Sequence, residues 1–225
     1  MTKLKVLGTG SSGNCYLLEC DGKTIILDAG IGLKDIKIGL DFNISKVSGA
    51  FISHIHQDHS KSADALRNMG IPVFEPFLTE NTYESAEYDG FRIRSFPLPH
   101  DGVSNRGCLI TCPDGSKVLY MTDYEYCEYT FKKQSIETML IECNYSMEVS
   151  DEQANLEHVL RGHASLDVTK GIVAANKTDK MRTVIACHLS EKNADSAQIK
   201  KELQEVAGHE VSVWIARKGL EVNCN

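Results

Sequence analysis

The chain has 225 residues, of which 42% are hydrophobic and 24% charged, the balance of a folded soluble protein able to bury a sizeable core. Its formal net charge of −7 argues against a broad, non-specific nucleic-acid surface, while leaving room for a local basic groove. No apolar run approaches the roughly 18 residues of a membrane span, and "MTKLKVLGTG" lacks the apolar core and cleavage site of a signal peptide, so the expected location is cytoplasmic.

In chain order, "LKVLG", "NCYLLEC" and "KTIILDAG" read as short β-strands separated by Gly and polar turns. "GLKDIKIGL" reads as a short helix, and "GAFISH" as a buried strand that runs into a histidine-rich loop. A helix is expected from about Ser60 through "SKSADALRNMG", with Gly70 as its stop and Pro72 just beyond. Strands follow at "IPVFEP", "GFRIRSFPL", "CLITCPDGSKVLYMTD" (a hairpin around Pro113–Gly115) and "TMLIECN". The last third interleaves helices over 150–162, 165–177 and 193–208 with the strands "RTVIACHLS" and "EVSVWIARKGLEVN", where Trp214 is expected in the core. Strands early and helices late imply an α+β layered domain, with no composition break to divide it. The eight cysteines form no C-x-x-C pair, and several sit in apolar segments such as "CYLLEC" and "VIACH", so buried free thiols are expected.

The stretch "SHIHQDHS" places His54, His56, Asp58 and His59 within six positions. If residues 54–56 are extended, His54 and His56 point to one side, and the turn that follows swings Asp58 and His59 to a neighbouring position. One loop thereby offers two ligands to each of two adjacent metals. A closed structural zinc site more often uses cysteines, and none is near.

"HIHQDH" resembles the H-x-H-x-D-H signature of the metallo-β-lactamase superfamily, whose members fold as a four-layer αββα sandwich. The resemblance implies further ligands at strand ends. "FRIRSFPLPH" supplies His100, "KVLYMTD" supplies Asp123 and "RTVIACHLS" supplies His188, all in the family's order. Taken alone, His100 is an ordinary loop histidine and Asp123 an ordinary turn residue; the joint pattern carries the reading. By resemblance His54, His56 and His100 hold one metal, Asp58, His59 and His188 the other, and Asp123 bridges them. Two divalent ions are implied: Zn²⁺ suits the imidazole-rich shell, and Mn²⁺ suits the carboxylate-containing half. Such a pair activates water at neutral pH and draws charge from the group under attack, which makes hydrolysis the expected reaction. Asp58 is expected to orient that water or accept its proton as well as bind metal.

The resemblance extends to the YycJ (WalJ)-like nuclease branch. "LGTGSSGNCYLLE" is similar to its Gly/Ser-rich N-terminal loop, "LIECNYS" to the strand after the bridging Asp, and "VLRGHASLDV" to its Gly-His-Leu-Ser segment, with Ala164 in place of Leu. That segment adds His163 as a catalytic residue near the scissile phosphate, although read alone it neighbours a helix junction, with Ser165 an N-cap. The 64 residues from 124 to 187 are too few for a β-CASP insertion, so residues 1–225 are expected to form a single hydrolase domain. The implied activity is a phosphodiesterase or nuclease, including an exonuclease, acting on DNA or RNA. A small-molecule hydrolase of lactones, thioesters or cyclic nucleotides is the alternative, and a metal-binding scaffold a third. Lys61, Arg67, Arg106, Arg161, Lys170 and Arg182 are candidates for a phosphate-binding groove, whereas His158 and His209 are expected at the surface. The sequence leaves the oligomeric state open.

Overall fold

The structure is a computed structural model that describes residues 1–146 and 156–224. Strands β1 (Thr2–Gly8), β2 (Cys15–Cys20) and β3 (Lys23–Leu27) form an antiparallel meander; helix α1 (Leu33–Gly39) and β4 (Val47–Phe51) follow. Next come α2 (Gln57–Ser60), α3 (Ala63–Asn68), β5 (Val73–Phe74), β6 (Ser85–Tyr88), β7 (Phe91–Leu98), β8 (Asn105–Thr111) and β9 (Lys117–Met121). The chain continues through β10 (Thr138–Glu142), α4 (Leu156–Gly162), α5 (Leu166–Asn176), β11 (Thr183–Cys187), α6 (Ser196–Ala207), β12 (Ser212–Ile215) and β13 (Glu221–Asn223).

Among the described residues two sheets form, ordered β13-β1-β2-β3-β4-β5 and β12-β11-β10-β9-β8-β7-β6. The two-residue period of a strand sorts side chains between layers. Leu18 and Ile25 point between the sheets with Phe51, Tyr120 and Ile185, while their neighbours Leu17 and Ile26 point outward onto Ile36 of α1 and Leu66 of α3. On the far side Met139 and Val184 meet Val173 of α5 and Leu203 of α6. Three apolar interfaces therefore separate four layers, the αββα sandwich expected from the sequence. The central strands β10 and β11 run parallel and are buried at every position, as strands covered on both faces must be.

Helix caps explain two elements that were readable beforehand. Ser165 accepts the Val168 N–H at the start of α5, and Asp195 accepts the Ala197 and Gln198 N–H groups at the start of α6. Elsewhere the structure corrects the sequence. The helix expected from Ser60 starts at Gln57, because the His56 carbonyl accepts the N–H groups of His59 and Ser60 at 3.0 and 2.9 Å. It breaks at Ser62, whose N–H and hydroxyl turn away to the carbonyls of Ala29 and Ile31. "EVSVWIARKGLEVN" is two strands, β12 and β13, one in each sheet. Trp214 is 39% exposed on the edge strand β12, with Lys200 Nζ 5.8 Å from its ring, not in the core. The edge strand β6 went unread, since "SAEY" carries no apolar run. Residues 150–155 of the first expected late helix, and the side chain of His158, lie outside the described residues.

All eight cysteines are free, and seven are buried. Titration of the unfolded protein should return eight thiols with or without prior reduction, and far fewer in the native state.

Candidate metal centre

One rim of the sandwich collects the ends of strands from both sheets. Asp28 follows β3, Ser53 and His54 follow β4, His100 follows β7, Asp123 follows β9, Glu142 ends β10 and His188 follows β11. Asp28, Asp123 and His188 all have left-handed backbone, with φ of 56°, 52° and 53°. For an L-residue this costs roughly 1–2 kcal/mol, and it turns the side chain sharply off the strand end. Strain of this kind persists only where surrounding contacts over-determine it.

The structure brings all seven residues expected as ligands onto this rim. His54, His56, His100 and Asp123 form one group, and Asp58, His59, Asp123 and His188 a second; within each, one ligand atom per residue lies within 4.8 Å of all the others. Asp123 belongs to both through different oxygens. Its Oδ2 is 3.7 Å from His54 Nε2 and 3.9 Å from His100 Nε2, and its Oδ1 is 3.4 Å from His59 Nε2 and 3.5 Å from His188 Nδ1.

Hydrogen bonds fix which ring nitrogens carry lone pairs. The His100 Nδ1–H donates to the Gly162 carbonyl at 2.7 Å, leaving Nε2 with its lone pair, 3.2 Å from His56 Nδ1. The Ser53 hydroxyl donates to Asp28, so its oxygen accepts from His54 Nδ1 at 3.0 Å and His54 Nε2 also keeps its lone pair. Burial and the neighbouring His59 hold His54 well below the usual histidine range, keeping it neutral. Lone pairs from two rings thus converge, with an Asp123 oxygen, around His56 Nδ1, which is 3.0 Å from His54 Nε2 and 3.2 Å from His100 Nε2, a donor set that a cation can join. In the second group His188 Nε2 is buried without a hydrogen-bond partner, 3.7 Å from Asp58 Oδ2. The donor set fits divalent cations in both places.

The charge balance agrees. Burial lowers His59 and His188, but Asp123 and Asp28 outweigh it for His59, and Asp123, Asp58 and Glu142 carry His188 up to about 10. Burial likewise raises Asp58 and Asp123, yet the surrounding imidazoles hold both carboxyls well below their ordinary range. Protons on these rings and divalent cations are alternative ways to balance the same carboxylates.

Two supporting carboxylates were not singled out in the sequence. Asp28, fully buried, accepts from His59 Nδ1 at 2.6 Å, the Ser53 N–H at 2.7 Å and hydroxyl at 2.9 Å, and the Tyr120 hydroxyl at 2.5 Å. Glu142, also fully buried, faces His163 Nδ1 at 2.7 Å and His188 Nδ1 at 2.9 Å through Oε1, while Oε2 accepts the N–H groups of Tyr124 and Ala164. The signal available for both was an acid closing an apolar strand, "IILD" and "MLIE". His163 stacks on His188 with centroids 5.2 Å apart, beside the second group. Gly30 lets the loop after β3 press on α2: a Cβ there would stand 1.6 Å from the Asp58 carbonyl oxygen.

The expected cations divide. Arg161 lines an open cleft of about 550 Å³ beside His100, with Asp101, Ser104 and Glu125. Arg106 is buried and donates to the carbonyls of Thr79, Asn81 and Thr82, so it braces a loop instead of facing a groove. Arg67 pairs with Asp64 and Glu75, Lys170 with Asp167 and Glu202, and Arg182 donates to the Asp179 and Met181 carbonyls. His209 is exposed, as expected.

The sequence profile described as "Metallo-beta-lactamase superfamily" matches residues 8–126. The chain is 24% identical over 249 aligned positions to the exodeoxyribonuclease YycJ of Bacillus anthracis, covering 96% of this chain and 90% of that one. It is 26% identical over 173 positions to the exodeoxyribonuclease WalJ of Streptococcus pneumoniae, covering 65% and 64%. Among solved structures, the metallo-beta-lactamase fold protein YhfI from Bacillus subtilis superposes with a TM-score of 0.74 at 19% identity, covering 98% of both chains.

Replacing Asp28 by Ala removes the acceptor that sets the His59 ring and, through Ser53, the His54 tautomer. Metal affinity should fall about 10–100-fold, read by competitive chelator titration. Since Asp123, Asp58 and Glu142 push His188 up to about 10, a cation must displace its proton at neutral pH. Metal uptake in weak buffer should therefore release protons, and affinity should fall as pH is lowered.

Proposed function

The chain belongs to the metallo-beta-lactamase superfamily of hydrolases, and from that footing we propose that it is a two-cation phosphodiesterase acting on nucleic acid, with the exodeoxyribonuclease activity named for its relatives YycJ and WalJ. The observation that carries this reading is the Asp123 carboxylate, whose two oxygens face two different donor groups. On this reading His54, His56 and His100 hold one cation, Asp58, His59 and His188 hold the other, and Asp123 bridges them. When bound, such a pair supplies Lewis acidity, lowering the pKa of water and drawing charge from phosphoryl oxygens; Zn²⁺ and Mn²⁺ both suit the donors.

The protein's own groups supply direction and protons. Asp58 is the more open of the acids, its side chain 27% exposed, and its depressed pKa suits it to orienting an attacking water by accepting its hydrogen bond. Glu142 holds His163 Nδ1 at 2.7 Å, which sets the orientation of the ring beside the second group. Burial lowers the His163 pKa, but Glu142 outweighs it and raises the ring above the usual histidine range. A protonated Nε2 can then donate to the departing oxygen, a contribution of about 10²–10⁴-fold. The cleft beside His100 supports a polymeric substrate, because it is open to solvent and mixed in its lining and is not a closed apolar pocket. The whole chain is read as one hydrolase domain.

The test is metal analysis together with a panel of single-stranded DNA, duplex DNA, RNA and bis-p-nitrophenyl phosphate. His56→Ala and Asp123→Ala should abolish hydrolysis with the circular-dichroism spectrum retained, and full activity in either sinks the proposed centre. His163→Ala should lower kcat on nucleic acid about 100-fold with metal content unchanged; loss of metal there would put His163 among the ligands. Turnover of esters or lactones without any phosphodiester cleavage would give the reaction to small-molecule hydrolysis instead.

A further inference from the structure

On β7 strand alternation places Phe91 and Ile93 between the sheets, and Arg92, Arg94, Phe96 and Leu98 on the outer face, in a row that leads towards His100. Beside this row lies a cavity of about 340 Å³, walled by Tyr83, Arg94, Phe96, Tyr129 and Phe131. The rings contact one another: Phe96 lies 4.8 Å from Phe131 and 5.5 Å from Tyr129, and Tyr83 lies 6.2 Å from Tyr129, centroid to centroid. Tyr83 is nonetheless 62% exposed, so its ring is offered to solvent as well as to the cluster.

Both walls start at the metal rim. Phe96 is four residues before His100, about 13 Å of extended chain, and Tyr129 and Phe131 sit on the segment that leaves Asp123. The cavity is also where exposed cations gather on a chain of net charge −7. Arg94 lines it, Arg92 lies one step along the same face, and Lys132 and Lys133 fall between the lining residues Phe131 and Gln134. None of these four makes an ion pair among the described residues, although Glu87 stands opposite Arg92 in the ladder. The one acid in the lining, Glu84, accepts from Thr79 Oγ1 and Asn81 Nδ2.

Aromatic faces flanked by unpaired cations are what a single nucleic-acid strand requires: stacking for its bases and countercharge for its phosphates. We propose that this cavity is a stacking subsite for an unpaired nucleobase of the substrate strand, a few nucleotides from the bond that is cut, with Arg92, Arg94, Lys132 and Lys133 holding the flanking phosphates. The assignment rests on the nuclease reading and extends it from the cut to the grip.

Binding of a fluorescein-labelled oligothymidylate is the test, made in Ca²⁺ to hold back cleavage and run beside turnover of bis-p-nitrophenyl phosphate, which is too short to reach from the metals to the cavity. Tyr83→Ala should weaken oligothymidylate binding about tenfold, Tyr83→Trp should restore it, and replacing thymidines with abasic residues should remove the same increment from the wild type but not from Tyr83→Ala. Arg94→Ala should weaken binding and flatten its salt dependence. Both exposed sites leave the fold intact, and turnover of the small phosphodiester should be unchanged. A wild type that binds and cuts the oligonucleotide while Tyr83→Ala and Arg94→Ala match it overturns the subsite alone. A wild type that neither binds nor cuts any nucleic acid overturns the nuclease reading and the subsite with it.

Discussion

Asp28 is a carboxylate without solvent, and such a group is tolerable only when its lone pairs are met. The donors come from both halves of the molecule: Ser53 and His59 from the first sheet and the helix that follows it, Tyr120 from the second sheet. The contact therefore ties the sandwich together at the rim and, in the same set of bonds, decides how two histidines present themselves. It holds the His59 ring directly and fixes the proton on His54 through the Ser53 hydroxyl. Much of what the rim can do depends on this acid being fully hydrogen-bonded.

Glu142 is its counterpart in the second sheet. It braces His163 and His188 and draws two backbone N–H groups against its other oxygen. Asp123 stands between these two braced sets with one oxygen towards each group. The left-handed turns at Asp28, Asp123 and His188 are the local cost of aiming strand-end side chains this way, and hydrogen bonds such as Thr122 Oγ1 to Asp123 Oδ1 and Asn105 Nδ2 to the Asp123 carbonyl offset it.

The donor loop was legible because four ligand-type side chains crowd six positions, a density that few other roles explain. His100, Asp123 and His188 were legible only as an ordered set at strand ends; each alone is an unremarkable loop residue. Helices α5 and α6 announced themselves through periodicity, and Ser165 through its capping chemistry. Asp28 and Glu142 stayed hidden because their meaning lies in partners distant along the chain, Tyr120 for one and His188 for the other. Arg106 misled for the same reason: an arginine that faces phosphate and one that clamps three carbonyls look alike until the loop of residues 79–82 is in place. Trp214 misled because an apolar strand at a sheet edge has one face with nothing to cover it.

The rim's position at the strand ends has an evolutionary consequence. The seven donor residues follow the strands or sit on the short helix after β4, at the ends of the elements whose apolar side chains hold the layers together. Selection can therefore lengthen an exposed segment behind a donor without repacking the sandwich, while the buried donors, His59 above all, stay tied to both sheets through Asp28. Heritable change in chemistry is then easiest in the exposed segments behind the rim, where one scaffold can be re-equipped for new reactions with the braced donors left in place.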